Sequence, residues 1–172
     1  MTYKKERGMG MELKIPENFF VGAAMSGPQT EGAYKTGGRL ESIWDTWSDL
    51  SISDFYNKVG SYVGNNFYEK YEDDIKLLKS LHMDSFRTSM QWSRLLTKDG
   101  KFNQEGAQFY HKVCKCAKEN QIELFMNLYH FDMPTYLFER GGWESRDVVE
   151  AYAAYARAAF REFGSEIGRA HV

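Results

Sequence analysis

The feature that most constrains this chain is an alternation of two hydrophobic periods: short apolar runs, each followed by a longer stretch with apolar residues at helical spacing. Phe19 to Ala24 is an apolar run ending in small residues, as a buried strand of a parallel sheet does. From Asn65 to Leu81, the residues Phe67, Tyr71, Ile75, Leu78 and Leu81 recur on one helical face, with Asp73, Asp74, Lys76 and Lys79 off it. Asn65 or Asn66 is placed to cap that helix. Ser85 to Met90 is the next strand, and the turn at Asp99-Gly100 leads to a helix capped by Asn103 and running to about Glu119. Ala107, Tyr110, Cys114 and Ala117 line one of its faces. Ile122 to Tyr129 is a third strand, apolar on both sides, and a last helix from about Ser145 to Phe163 presents Val148 or Val149, Tyr152, Ala156, Ala159 and Phe163.

Strict alternation with no two adjacent strands calls for right-handed βαβ units and a parallel sheet. Two α/β folds satisfy it, a doubly wound sheet and a (β/α)8 TIM barrel. No Gly-x-Gly-x-x-Gly follows the first strand, and the longest loops all follow strands, where barrel enzymes place their chemistry. The barrel is therefore the expected fold, with about the first three βα units present. A chain of 172 residues that is 42% hydrophobic accommodates one domain or part of one.

Several classes of function are disfavoured. The net charge of −2 is spread along the chain with no basic block, so nucleic acid is not an expected partner. Lys4, Lys5 and Arg7 are not followed by an apolar run of about 7–15 residues, and no run of about 20 could span a membrane. Cys114 and Cys116, two apart on a helix, point in different directions, which fits a reduced, cytoplasmic protein. Four scattered histidines carry no metal-ligand spacing, so neither a metal nor another cofactor is expected. Both ends look foreign. Residues 1–10 include Lys5-Glu6-Arg7-Gly8, encodable by a purine-rich run resembling a ribosome-binding site, with the natural start at Met9 or Met11. Residues 165–172 lack periodicity, and Ile167 to Val172 can be encoded by a sequence resembling a sequencing adapter. The domain proper is then 11–164.

Three polar residues fall at the C-terminal ends of the proposed strands: Gln29 after the first, Arg87 within the second and His130 just after the third. In a barrel these ends converge on one pocket. Singly, Gln29 reads as a turn residue and His130 as a core histidine. Arg87 in an apolar strand demands an anion or several acceptors, because its guanidinium stays charged. Trp44, Trp47, Trp92 and Trp143 read as core or loop packing, with Trp143 the one to be tested as part of that pocket.

In chain order, six motifs resemble family 1 glycoside hydrolases, the β-glucosidases and 6-phospho-β-glycosidases. They are the run from Phe20 to Ala33, Ser42-Ile43-Trp44-Asp45 with Tyr71-Glu72-Asp73-Asp74, Phe86 to Arg94, Tyr129 to Pro134, and Gly141-Gly142-Trp143. Val21 and Pro28 depart from the family pattern in the first. The resemblance implies a retaining β-glycosidase acting on small β-glycosides or their 6-phosphates. It implies that Gln29 and His130 hydrogen-bond sugar hydroxyls and that Arg87 lies beside the nucleophilic glutamate, keeping it ionised. The wording of Met25 to Gln29 and of Tyr56 to Tyr68 resembles the phospho-β-glycosidases more closely. Both catalytic glutamates of that family follow later strands, the first within Asn-Glu-Pro, which this chain does not contain. The chain itself is thus expected to be inactive, and Glu31, Glu41, Asp45 and Asp132 are assigned to loop hydrogen bonding. A non-catalytic carbohydrate-binding protein with a degenerate barrel, and an unrelated nucleotide-binding fragment, are the competing readings.

Overall fold

The computed structural model describes residues 14–167 and 169–171, so the expected leader 1–10 lies outside the described residues. The chain begins with β1 (Gly22–Ala24) and a helical turn, α1 (Gly27–Thr30), followed by α2 (Ile43–Leu50) and the long α3 (Phe67–Ser80). Next come β2 (Ser85–Ser89), the short α4 (Trp92–Leu95) and α5 (Gln104–Glu119). The last elements are β3 (Glu123–Asn127), the short α6 (Thr135–Phe138), α7 (Arg146–Phe163) and β4 (Arg169–His171).

All strand pairs are parallel, and the order is β1-β2-β3-β4. A doubly wound sheet of the nucleotide-binding kind reverses direction after its third strand. Four strands added in one direction are what a barrel requires. Alternate residues Phe86, Thr88, Met90, Leu124, Met126 and Leu128 are buried. They form the helix-covered face, joined in one core with Phe67 and Ile75 of α3, Tyr110 and Val113 of α5, and Tyr155 and Phe163 of α7. The other face carries Ala24, Arg87, Phe125 and Asn127, none of them fully buried. It is the face a closed barrel turns inward.

Local chemistry explains the boundaries. Asn103 caps α5 by accepting a hydrogen bond from the Glu105 N–H at 3.2 Å, as its position implies. Asn66 precedes α3 in a left-handed conformation and makes no side-chain cap, so the start of that helix rests on packing rather than on the cap. At Gly22, β1 approaches β2 so closely that a Cβ would sit 2.0 Å from the Ser85 carbonyl oxygen, which only glycine avoids. Cys114 and Cys116 are free and buried, and burial pushes the Cys114 thiol up to about 12.

Two features depart from the sequence-based expectation. Helices α1, α2, α4 and α6 sit in segments read as loops, because helical periodicity is legible only over about 10 or more residues. The second departure is β4, which pairs with β3 from Phe125↔Arg169 to Asn127↔His171 in a tail expected to have no strand. Pairing over so few residues needs only backbone N–H and C=O groups at an open sheet edge, so no hydrophobic pattern announces it. No helix among the described residues is long and apolar enough to cross a membrane.

Helices α5 and α7 are latched by His111, whose Nδ1 lies 2.8 Å from Glu166 and whose Nε2 lies 2.9 Å from Glu162. With a carboxylate at each ring nitrogen, the protonated ring, which donates from both nitrogens, is the favoured form. Burial alone would lower its pKa, but the two carboxylates outweigh it and the net shift is upward. The stabilisation is therefore complete below the ordinary value of about 6.5 and is lost as pH rises through the raised one. These groups are about a third exposed, so the effect is small. The thermal midpoint is expected to fall by about 1–2 °C from this latch as the pH is raised from about 6 to about 8.5. His111→Gln should remove that component of the pH dependence in a melting series, and an unchanged slope would refute the latch.

Candidate functional site

The site forms where the loops after β1, β2 and β3 meet. After β1 the chain turns at Ser26 into α1, and Pro28 occupies the first turn, where its missing N–H costs nothing. The departure from the family pattern at Pro28 is thus absorbed by a helical turn. The Gly27 N–H donates to Ser89 Oγ at 2.8 Å, pinning the turn to the end of β2. Gln29 follows, exposed, with its Oε1 accepting from Ser26 Oγ at 2.7 Å.

Arg87 lies on the inner face of β2. Its Nε donates to Asn127 Oδ1 at 3.0 Å, and its Nη2 lies 3.5 Å from His130 Nδ1. The polar demand of Arg87 is thus met by the end of the neighbouring strand. Burial, and then the positive charge of Arg87, hold the His130 imidazole below its ordinary pKa. It is a neutral ring near pH 7, with Nδ1 turned toward the guanidinium as an acceptor and Nε2 left as the donor.

Gln29 and His130 line one cleft of about 400 Å³ together with Trp44, Phe55 and Phe131. Arg87 stands behind His130 rather than among the lining residues. Trp143 is elsewhere: 46% exposed, it packs on an aromatic cluster, 6.0 Å from Trp92, 5.3 Å from Tyr129 and 5.4 Å from Tyr152 between ring centroids. The structure therefore brings three of the four expected site residues together and leaves Trp143 outside the cleft. Trp92 is core, whereas Trp44 walls the cleft.

A buried polar network beneath the cleft escaped sequence reasoning. Glu31 accepts from Arg94 Nε at 2.9 Å, Gln91 Nε2 at 2.6 Å and the Tyr110 hydroxyl at 2.8 Å. The guanidinium of Arg94 also donates to the carbonyls of Thr36, Gly32 and Ala33, and it stacks 4.6 Å from the Tyr68 ring centroid. Gln91 Oε1 accepts from Arg39, which pairs with Asp45 at 2.7 Å, and Asp45 closes the capping box of α2 with Ser42. Asp132 accepts from the Trp92 and His130 N–H groups, and Glu41 accepts from Thr46 Oγ1. Asp132 and Glu41 hold loop and helix-start groups by hydrogen bonds alone, whereas Glu31 and Asp45, expected to do the same, are the acidic partners of buried ion pairs.

The sequence profile of glycosyl hydrolase family 1 matches residues 11–170. The chain belongs to that family. It is 41% identical over 157 residues to 6-phospho-beta-glucosidase GmuD of Bacillus subtilis, covering 91% of this chain and 34% of the relative. It is 40% identical over 155 residues to beta-glucosidase 9 of Arabidopsis thaliana, covering 89% and 30%. Among solved structures, the GH1 beta-glucosidase of Exiguobacterium antarcticum B7 superposes with a TM-score of 0.87 at 36% identity, covering 92% of this chain and 35% of that one. The virulence factor SghA, in complex with its substrate analog salicin, superposes with a TM-score of 0.85 at 31% identity, covering 91% and 34%. The chain spans about a third of the length of the family 1 members it matches. Its sheet is accordingly the opening part of a (β/α)8 barrel.

Proposed function

We propose that this chain is the N-terminal third of a retaining β-glycosidase that hydrolyses β-glucosides or β-galactosides, 6-phosphorylated ones in particular, in cytoplasmic carbohydrate catabolism. The observation that carries the reading is the meeting of Gln29 and His130 in one cleft, with Arg87 one contact behind. The amide of Gln29 offers a donor and an acceptor, and the neutral ring of His130 offers Nε2–H, the groups that vicinal sugar hydroxyls require. Flat rings at Trp44, Phe55 and Phe131 suit the apolar face of a pyranose. Retention needs two carboxyl groups about 5–5.5 Å apart, one attacking the anomeric carbon and the other acting first as acid and then as base. Glu31 and Asp45 are paired with arginines, Asp132 is buried against two backbone N–H groups and Glu41 holds Thr46. None of them is free to attack, so the carboxylate pair is assigned to later strands, with Arg87 beside the nucleophile.

Two observations favour the phosphorylated substrate: the name of the Bacillus subtilis relative and the wording of Met25 to Gln29 and Tyr56 to Tyr68. The deciding measurement compares hydrolysis of an aryl β-glucoside and of its 6-phosphate by the full-length protein. A preference of about tenfold or more in kcat/KM for the phosphorylated form is expected, since a dianion met by charge-assisted hydrogen bonds contributes at least that much. Equal or reversed rates would overturn the phosphate assignment, and no hydrolysis of either would overturn the glycosidase reading. Expressed alone, the present chain leaves sheet edges open and an inner face uncovered, so it should aggregate or melt without a cooperative transition. A soluble preparation with a sharp calorimetric peak would contradict this.

A further inference from the structure

We infer that Asp132 is a positioning residue of the proposed site, fixing His130 to the loop that follows β2. The inference rests on the β-glycosidase reading above. Asp132 is fully buried and has no ion-pair partner among the described residues. Instead its two oxygens serve two different loops. Oδ1 accepts the backbone N–H of His130 at 3.1 Å, and Oδ2 accepts that of Trp92 at 2.6 Å. A carboxylate without a cation is costly to bury, and burial pushes this one up to about 6. A residue serving only to fill space would do so at lower cost as an apolar side chain.

What the arrangement achieves is visible in the backbone between its two ends. Phe131 adopts a left-handed conformation, φ 61°, which a bulky side chain seldom takes up, and its ring is 61% exposed on the cleft wall. Downstream, the loop is held independently, with the Met133 carbonyl accepting from the Ile43 N–H at 2.9 Å and Pro134 bridging to Ser42. Upstream, β3 holds it as far as Asn127, whose carbonyl accepts from the Met90 N–H at 2.9 Å. The tip at His130 and Phe131 lies between these anchors, and the carboxylate of Asp132 fastens it to Trp92. Because the His130 ring reaches both the cleft and, at 3.5 Å, Arg87, a shift of its backbone displaces the donor offered to the sugar.

The test is a double-mutant cycle in the full-length protein, assayed on whichever of the aryl β-glucoside and its 6-phosphate the wild type hydrolyses. Asp132→Asn keeps the shape but turns an NH₂ toward one of the two backbone N–H groups, so one bond is lost. A fall in kcat/KM of about tenfold is expected from Asp132→Asn, the effect of one buried donor left unsatisfied. In a His130→Ala background the same change should cost less than about twofold, because the group it positions is gone. Additive losses, or a loss confined to thermal stability, would overturn the inference while leaving the glycosidase reading intact. A wild-type protein that hydrolyses neither substrate would remove the reading and the inference together. Should Asp132→Asn fail to fold, hydrogen exchange in the wild type decides. Slow exchange at the Trp92 and His130 amides supports the clamp, and loop-like exchange at either refutes it.

Discussion

Arg94→Met is expected to destabilise the full-length protein by about 3–5 kcal/mol, the range found when one partner of a buried ion pair is removed. Arg94 and Glu31 are both inaccessible to solvent, and their carboxylate and guanidinium meet at 2.9 Å. Without the guanidinium, Glu31 keeps only Gln91 Nε2 and the Tyr110 hydroxyl as donors. Burial holds that hydroxyl well above its ordinary pKa, so it stays a donor but brings no charge. The carbonyls of Gly32, Ala33 and Thr36 lose their donors at the same time. Methionine fills much of the volume, so the loss reports the charge and hydrogen bonds rather than a cavity. Urea unfolding measures it, and Glu31→Gln added to Arg94→Met should recover part of the loss by removing the orphaned charge. A single variant within about 1 kcal/mol of wild type would show that this network contributes little.

Arg87→Ala should lower kcat by about 10²–10³, the cost of removing a preorganised electrostatic donor from a site of this kind. In the proposed enzyme its positive charge keeps the nucleophilic carboxyl ionised. Without it that carboxyl's pKa rises, and the acidic limb of the kcat/KM profile should move to higher pH by about one unit or more. Arg87→Lys separates charge from geometry. An ammonium is a point donor and cannot hold Asn127 Oδ1 while lying beside His130 as the fork does. The lysine variant is therefore expected to keep most of the pH profile yet lose activity through a looser site. A wild-type acidic limb in Arg87→Ala would remove Arg87 from the role assigned to it.

The parts of the fold that were legible were those whose residues carry a period. Helices α3, α5 and α7 and strands β1, β2 and β3 fall within a few residues of where the apolar spacing puts them, because each must bury one face. The short helices α2, α4 and α6 are too brief for a period. Even so, Ser42 and Asp45 at α2 held a readable capping signal. At the site, Gln29, Arg87 and His130 were found by their place at strand ends, a topological argument that needs no contacts. Asn127 and Arg94 were missed for the opposite reason, since their importance lies in partners 40 and 63 residues away. Trp143 was singled out together with its motif Gly141-Gly142-Trp143, and a motif does not say which way a ring turns.

The consecutive strand order also sets a timetable. In a closed barrel β1 is zipped against the strand made last, so in the proposed whole chain its outer edge waits for roughly the final two-thirds of synthesis. At about 5–20 residues per second on a ribosome, that wait is tens of seconds. During it the nascent chain offers the outer edge of β1 to any strand that passes. In such a chain, prompt arrival of the later strands, or cover from a chaperone, shortens the time for which that edge is open.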